Sequence, residues 1–313
     1  LLEDANVQHL SWVEESRPYG DSDDWIAKTR EVVEELGLGS KRIGIEKDSW
    51  FISLRDFEGL SSGLASATFV DCSGLVEEGR MIKSPAELAL MQVATDITLN
   101  AYRHMYRKIE AGMTPADVGR LINSATVAMG GSPEFALVLL GEASAYPHGT
   151  GKPQEVREGE VVLLDCGCNV HGYQSDISRS FVFGEANEEQ RLVWNRMRKG
   201  QQIAFEAAQV GTEAGKVDDA VRAYYETLGY GPGYQLPGTS HRTGHGIGLD
   251  GHEWVNFVRG NKTPLAPGMC FSNEPMIAIY GEFGIRLEDC LYMTQDEARF
   301  FSQQSPAIDK PFA

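Results

Sequence analysis

The chain has 313 residues, 42% of them hydrophobic, 9% aromatic and 23% charged, enough to bury one large core or two of ordinary size. Its 28 basic and 45 acidic side chains leave a net charge of −17, which repels phosphate backbones and anionic membranes and argues against nucleic-acid or lipid partners. No apolar run approaches the roughly 18–20 residues that a bilayer span needs, and five cysteines without small-domain spacing point to a reducing compartment, the cytoplasm, rather than a disulfide framework.

Residues 1–80 read as a small α/β segment that is part of a domain, opening at Leu1 in sequence that already looks ordered. An amphipathic helix is expected from Asp24 to Leu36, closed by Gly37. A strand follows at Arg42 to Ile45, then a helix from about Ser49 and a strand from Phe69 to Cys72. A second unit, residues 81–313, begins with Ser84-Pro85-Ala86-Glu87, where Ser84 caps a helix, Pro85 fits its first turn and Glu87 completes a capping box. Leu90, Val93, Ala94, Ile97, Ala101 and Met105 recur at the spacing of a buried stripe. Thr114-Pro115-Ala116-Asp117 opens the next helix in the same way. The long helix, glycine break and shorter helix then recur, ending near Gly211 and continuing from Val217 to Leu228. Such an echo predicts two similar α-β halves around a central site.

The acidic residues fall where that duplication would place a site. Val161 to Cys168 and Tyr173 to Phe181 are β-rich runs flanking an Asn- and Gly-containing turn, a hairpin signature. With the turn centred between Val170 and His171, Asp165 opposes Asp176. Cys166 and Cys168 alternate on the same strand and read as small core residues. A second hairpin, Met269 to Glu274 and Gly284 to Glu288 about Gly281, opposes Glu274 and Glu288. Carboxylates facing each other inside apolar strands cost several kcal/mol or force protonation unless a cation lies between them. Between the pairs lies Gly244-His245-Gly246. An imidazole beside hard oxygen donors shifts preference from Mg or Ca toward Mn, Co, Zn or Fe. His252, seven residues on, is better placed as an acid or hydrogen-bond donor than as a further ligand. His9, His104 and His171 lie in segments without other chemistry and read as surface residues.

The order carboxylate, carboxylate, histidine, glutamate, glutamate resembles the pita-bread metallopeptidases, which include aminopeptidase P, prolidase and methionine aminopeptidase, with creatinase as a metal-free cousin. Asp165 and Asp176 keep the family's eleven-residue separation. Asp176 to Phe181 resembles the Asp-Ile-Thr-Arg-Thr-Phe signature of the proline-directed branch. Glu274-Pro275 and Gly284 to Asp289 match its two glutamate motifs. Pro147-His148-Gly149 resembles its substrate-contacting histidine motif, and His241 matches a histidine of the Xaa-Pro branch. Two departures, Met276 where glycine is usual and a short gap between the glutamate motifs, fall at the rim of the site and bear on substrate preference.

The resemblance implies an α+β chain. Its pita-bread catalytic domain, pseudo-duplicated around a mostly antiparallel curved sheet, spans residues 81–313, and the later part of a creatinase-type N-terminal domain spans 1–80. It further implies two divalent metal ions, Mn first, held by Asp165, Asp176, His245, Glu274 and Glu288, with Asp176 and Glu288 bridging, and a homodimer acting on proline-containing peptides. Glu274 is the expected general base. His148, His241 and His252 are expected to bind the scissile carbonyl and stabilise the oxyanion, and Arg286 to orient a ligand carboxylate. A dipeptidase also needs a cation for the substrate's carboxylate, for which Arg259 and Arg242 are candidates; Trp254 and Tyr146 are candidates to wall a proline pocket. The alternatives are a metal-dependent hydrolase or lyase acting on a small non-peptide substrate, and an inactive binding module on the same fold. Arg179, Arg286 and the N-terminal segment speak against a plain methionine aminopeptidase.

Overall fold

In the computed structural model, residues 2–312 are described, and the chain divides into two compact units, Leu1–Glu77 and Glu78–Ala313. The first unit holds α1 (Asp4–Leu10), α2 (Trp25–Glu35), β1 (Arg42–Ile45), α3 (Leu54–Gly63) and β2 (Thr68–Asp71), with β1 and β2 paired in parallel. Asp24 caps α2 by accepting from the amides of Ile26 and Ala27, and Gly37, just past its end, takes φ +69°, a conformation glycine adopts without steric penalty. The helix expected from Ser49 starts later. Ser53 is the residue that forms a capping box with Asp56, so α3 begins at Leu54. The second strand is likewise shifted by one residue, to Thr68–Asp71.

α4 (Leu75–Met81) carries the chain into the second unit, where two helix pairs follow: α5 (Pro85–Tyr106) with α6 (Pro115–Ala128), and α7 (Glu188–Ala207) with α8 (Ala214–Thr227). Both capping boxes form, Ser84 with Glu87 and Thr114 with Asp117. Val93 departs from the expected stripe. It is 46% exposed, while Met91, Ala94, Ile97, Ala101, Tyr102 and Met105 are buried.

Between the pairs, β3 (Ser132–Leu140), β4 (Val161–Val170), β5 (Tyr173–Gln174) and β6 (Ile177–Val182) form one antiparallel sheet with β4 at its centre. After α8 come β7 (Gly244–Gly246), β8 (Glu253–Phe257), β9 (Cys270–Phe271), β10 (Met276–Ile279), β11 (Phe283–Arg286), β12 (Leu291–Met293) and β13 (Ala298–Phe300). They make a five-stranded sheet in the order β13-β12-β9-β7-β8 and the β10-β11 hairpin. One hydrophobic core joins α5 and α6 to β3, β4 and β6, and a larger one joins α7 and α8 to the later strands. Each half thus packs a helix pair on its own antiparallel sheet, as the sequence echo suggests. Cys166 is buried in the first of these cores and Cys168 in a small cluster with Ala94 and Ile97 of α5, both as free thiols.

The first hairpin differs from expectation in register. Its two-residue turn is His171-Gly172, both with positive φ (+50° and +91°), a twist that suits a tight hairpin. The turn is centred one residue later than expected, so Asp165 opposes Ser178 and not Asp176. Because the slip is two positions on the partner strand, Asp176 stays on the same face as a diagonal neighbour. Asp176 lies in the gap between β5 and β6, beside Gly167, where a Cβ would stand 2.2 Å from the Ser175 carbonyl oxygen. The second hairpin keeps the expected register. Met276 opposes Arg286, and the same alignment continued outward faces Glu274 with Glu288. The run from Met269 to Glu274 is not one strand, however. β9 ends at Phe271, and Glu274 sits in the link to β10.

Candidate metal centre

The two halves meet along β6 and β11. Ser178 and Ser180 alternate along β6, and both face β11: the Ser180 hydroxyl donates to the Arg286 carbonyl oxygen and accepts from its amide, and the Glu288 amide donates to the Ser178 carbonyl oxygen at 3.0 Å. This stitching brings Glu288 beside Asp165 and Asp176. From the other sheet, β7 delivers His245. The Glu274 amide, bonded to the Thr243 carbonyl oxygen at 2.9 Å, fixes the fourth carboxylate beside it.

The five expected ligands converge. Ligand atoms of Asp165, Asp176 and Glu288 lie within 4.8 Å of one another, as do those of His245, Glu274 and Glu288. The His245 Nε2 stands 3.4 Å from Glu274, 3.6 Å from Asp176 and 4.0 Å from Glu288, while its Nδ1 lies 3.0 Å from the Gly246 carbonyl oxygen. A carbonyl only accepts, so Nδ1 carries the proton and Nε2 presents a lone pair. Burial keeps this imidazole neutral by lowering its pKa well below the ordinary value, with His252 adding to the effect. Burial also raises the carboxyls. Asp176 and Glu288 stand well above the ordinary range, each further raised by its acidic neighbours, and Glu274 is pushed up to about 7.

Among the described residues, Asp165 Oδ1, Asp176 Oδ1 and Glu288 Oε1 are buried with no hydrogen-bond partner. Buried carboxylate oxygens are rarely left this way. Together with a neutral imidazole aimed at them, they are the donor set that two divalent cations would satisfy, and the residues fit such a pair. The outer oxygens are held in place: the Arg286 guanidinium donates to Asp165 Oδ2 and to the Ser178 hydroxyl, which in turn donates to Glu288 Oε2 at 2.7 Å.

Around the cluster opens a cavity of about 840 Å³. His148, His241 and His252 line it, as do Arg242 and Arg286. His252 comes closer than expected: its ring packs edge-on against His245 at 4.1 Å, and a ring nitrogen falls within 4.8 Å of the ligand atoms of Asp176 and His245. Glu253 secures the loop behind it, bonding the amides of Leu249 and Asp250 and pairing with the buried Lys83 and with Arg80.

Three expected substrate contacts are corrected. Arg259 is exposed, pairs with Asp219 at 3.0 Å and does not line the cavity. Trp254 points from β8 toward Lys262 to Pro264, and Tyr146 stacks on Tyr280 beside the cavity at 4.7 Å. In their place the apolar wall comprises Phe135, Leu137, Pro147, Val258 and Tyr234. Phe135 and Leu137 were legible as alternate positions of an apolar run. Tyr234, in an irregular loop, carries no periodic signal.

A family model described as "Metallopeptidase family M24" matches residues 89–295, and one described as "Creatinase/Prolidase N-terminal domain" matches residues 2–82. The chain is 32% identical over 300 residues to a Xaa-Pro dipeptidase of Lactobacillus helveticus, covering 95% of this chain and 80% of the relative. Among solved structures, an X-Pro aminopeptidase from Thermotoga maritima superposes with a TM-score of 0.88 at 27% identity over 98% of this chain and 83% of that one. The prolidase from Pyrococcus furiosus gives 0.78 at 28% identity, covering 88% and 79%. With the pita-bread fold of these neighbours and a family match over most of its length, the chain belongs to metallopeptidase family M24.

Proposed function

We propose that this protein is a metal-dependent peptidase that hydrolyses the bond preceding proline, with dipeptides as its main substrates. The observation that carries the reading is the convergence of Asp165, Asp176, Glu274, Glu288 and a neutral His245, with orphaned buried oxygens, at the floor of the cavity. The Xaa-Pro dipeptidase and prolidase relatives support the substrate class.

Asp165, Asp176, His245, Glu274 and Glu288 would together hold the two divalent cations. Bound cations of this kind polarise a carbonyl and make water a nucleophile near neutral pH. Glu274, a carboxylate at the floor of the cavity, would take the proton from the attacking water and return it to the departing proline nitrogen. His148 and His252, both in the lining, orient the scissile carbonyl. His241 has a different part from the expected oxyanion donor. Its Nδ1 lies 2.7 Å from the Arg242 carbonyl oxygen, and its pKa is pushed down to about 3, chiefly by burial, so its Nε2 is an acceptor suited to a substrate N–H.

Preference for dipeptides rests on Arg242. Arg286 is engaged by Asp165 and Ser178, whereas the Arg242 guanidinium lines the cavity with no hydrogen-bond or ion-pair partner among the described residues. It is a cation available to the free carboxylate of a two-residue substrate. Manganese as the metal (Co, Zn or Fe being the alternatives), a cytoplasmic location and a homodimeric assembly belong to the same reading. They rest on the mixed oxygen and nitrogen donors, the free cysteines and the family resemblance.

The test is a panel of Xaa-Pro dipeptides, their C-terminal amides, Xaa-Pro-Yaa tripeptides and proline-free dipeptides, assayed after chelation and reloading with Mn or Co. Rapid cleavage of the free dipeptides alone is expected. Cleavage of tripeptides and amides equally well would reassign the protein as an aminopeptidase, and no cleavage of any peptide would favour a small non-peptide substrate.

A further inference from the structure

The connection from the end of α8 to β7, residues 228–243, contains no helix or strand. It nevertheless delivers Tyr234, His241 and Arg242 to the cavity. A long irregular segment has no ladder of its own to hold its shape, and beyond two internal turn bonds it depends on groups outside it. A paired bridge between Gly238 and Ala278 ties it to β10, and one buried side chain holds three more of its carbonyls. Arg222 of α8 is 1% exposed, and its guanidinium donates to the carbonyl oxygens of Gly233 at 2.7 Å, Thr239 at 3.1 Å and His241 at 2.6 Å.

The charge of Arg222 is met one helical turn back by Asp218, fully buried, at 2.8 Å. Asp218 in turn accepts from the Thr243 hydroxyl at 2.7 Å, two residues before His245. A buried ion pair of this kind adds little to stability beyond what apolar side chains would. What it does add is geometry, since a planar fork binds several carbonyls at set angles. The ring of Tyr234 lies over the guanidinium, 3.6 Å from its centre, and the residue, 42% exposed, lines the cavity.

We infer that Tyr234 is the specificity-determining aromatic of the cavity, packing against the proline ring of the substrate, and that Arg222 is the residue that positions it. The inference rests on the peptidase reading above. An exposed, amphipathic ring pinned flat on a cation offers a rigid apolar face to a ring-shaped ligand at little cost in side-chain entropy. A flexible loop residue would have to be ordered each time substrate bound.

Four metal-loaded proteins test it: wild type, Tyr234→Phe, Tyr234→Ala and Arg222→Lys, each assayed on Xaa-Pro and Xaa-Ala dipeptides with metal content measured in parallel. Tyr234→Ala should raise KM for the proline dipeptide roughly 10-fold or more, the effect of losing one buried aromatic contact. Its kcat and metal content should change less than about twofold, the pattern of lost ground-state binding. Tyr234→Phe should match wild type. Arg222→Lys, which keeps the charge beside Asp218 but not the fork, should raise KM in the same direction with metal content intact. Proline and alanine substrates should converge in kcat/KM in both Tyr234→Ala and Arg222→Lys. An unchanged proline preference in Tyr234→Ala would overturn the inference. So would an Arg222→Lys protein that loses metal and turnover while its KM stays at the wild-type value, because that is a purely structural role. If wild type cleaves no proline peptide, the peptidase reading itself fails, and that result appears before any variant is compared.

Discussion

Replacing Glu274 by Gln should stabilise the metal-free protein, chiefly at neutral and alkaline pH. Burial raises the Glu274 carboxyl from an ordinary 4.5 to about 7, so between those values the folded state holds a proton that the unfolded chain has released. Stability tied to this group is therefore full below about pH 4.5 and is lost as pH rises toward 7. A displacement of that size corresponds to about 3 kcal/mol. Glutamine imitates the protonated acid and carries no such cost. Histidines of lowered pKa, His241 among them, change stability in the opposite sense as pH rises, but they are present in both proteins, which keeps most of their effect out of the difference. The assay is thermal or urea unfolding of wild type and Glu274→Gln in chelator at pH 5 and pH 8. At pH 5, where the unfolded carboxyl is already mostly ionised, the variant should lead by less than about 1 kcal/mol. At pH 8 the variant should melt higher by ~6–12 °C, taking ~2–4 °C per kcal/mol for a unit of this size. With Mn added, the order should reverse, because the variant has lost a ligand. A difference that stays constant from pH 5 to 8, or a variant less stable at pH 8 in chelator, would refute the reasoning.

Asp176→Asn should lose bound metal as well as turnover, read by metal analysis after dialysis, whereas a general-base defect alone would leave metal content unchanged. Arg286→Lys removes the fork that joins Asp165 to Ser178 and should weaken metal affinity roughly 10- to 100-fold, measured by competition with a chelating dye. Arg242→Gln should raise KM for Xaa-Pro dipeptides by roughly 10- to 100-fold, the range of one lost charge-assisted hydrogen bond, and leave the C-terminal amides unaffected. Lys83→Met strips Glu253 of one partner but leaves Arg80 and two amides on it, and should destabilise the protein by about 1–3 kcal/mol, read by urea unfolding of the loaded protein.

What could be read from the chain alone was whatever local rules decide. Ser84 with Glu87 and Thr114 with Asp117 announce helix starts because a capping box is complete within four residues. The Glu274 and Glu288 pairing was legible because a three-residue loop about Gly281 leaves one symmetric register. The other hairpin slipped because its turn depends on His171, a non-glycine residue with positive φ that no composition rule marks. Arg259, Trp254 and Tyr146 looked like site residues by nearness in sequence to the motifs, but nearness along a chain does not say which way a side chain points. Tyr234 and Arg222 became meaningful only when α8, the segment after it and the two sheets were packed together, and the same packing separated Arg242 from Arg259 as the cation in the cavity. The sequence by itself determined which residues can bind a cation and where the helices and hairpins begin, since these follow from residue type and short-range periodicity. Only the tertiary structure decided which charges are satisfied and which stand unpartnered in the cavity. Burial and orientation arise from contacts between segments more than a hundred residues apart, as between Asp165 and Arg286.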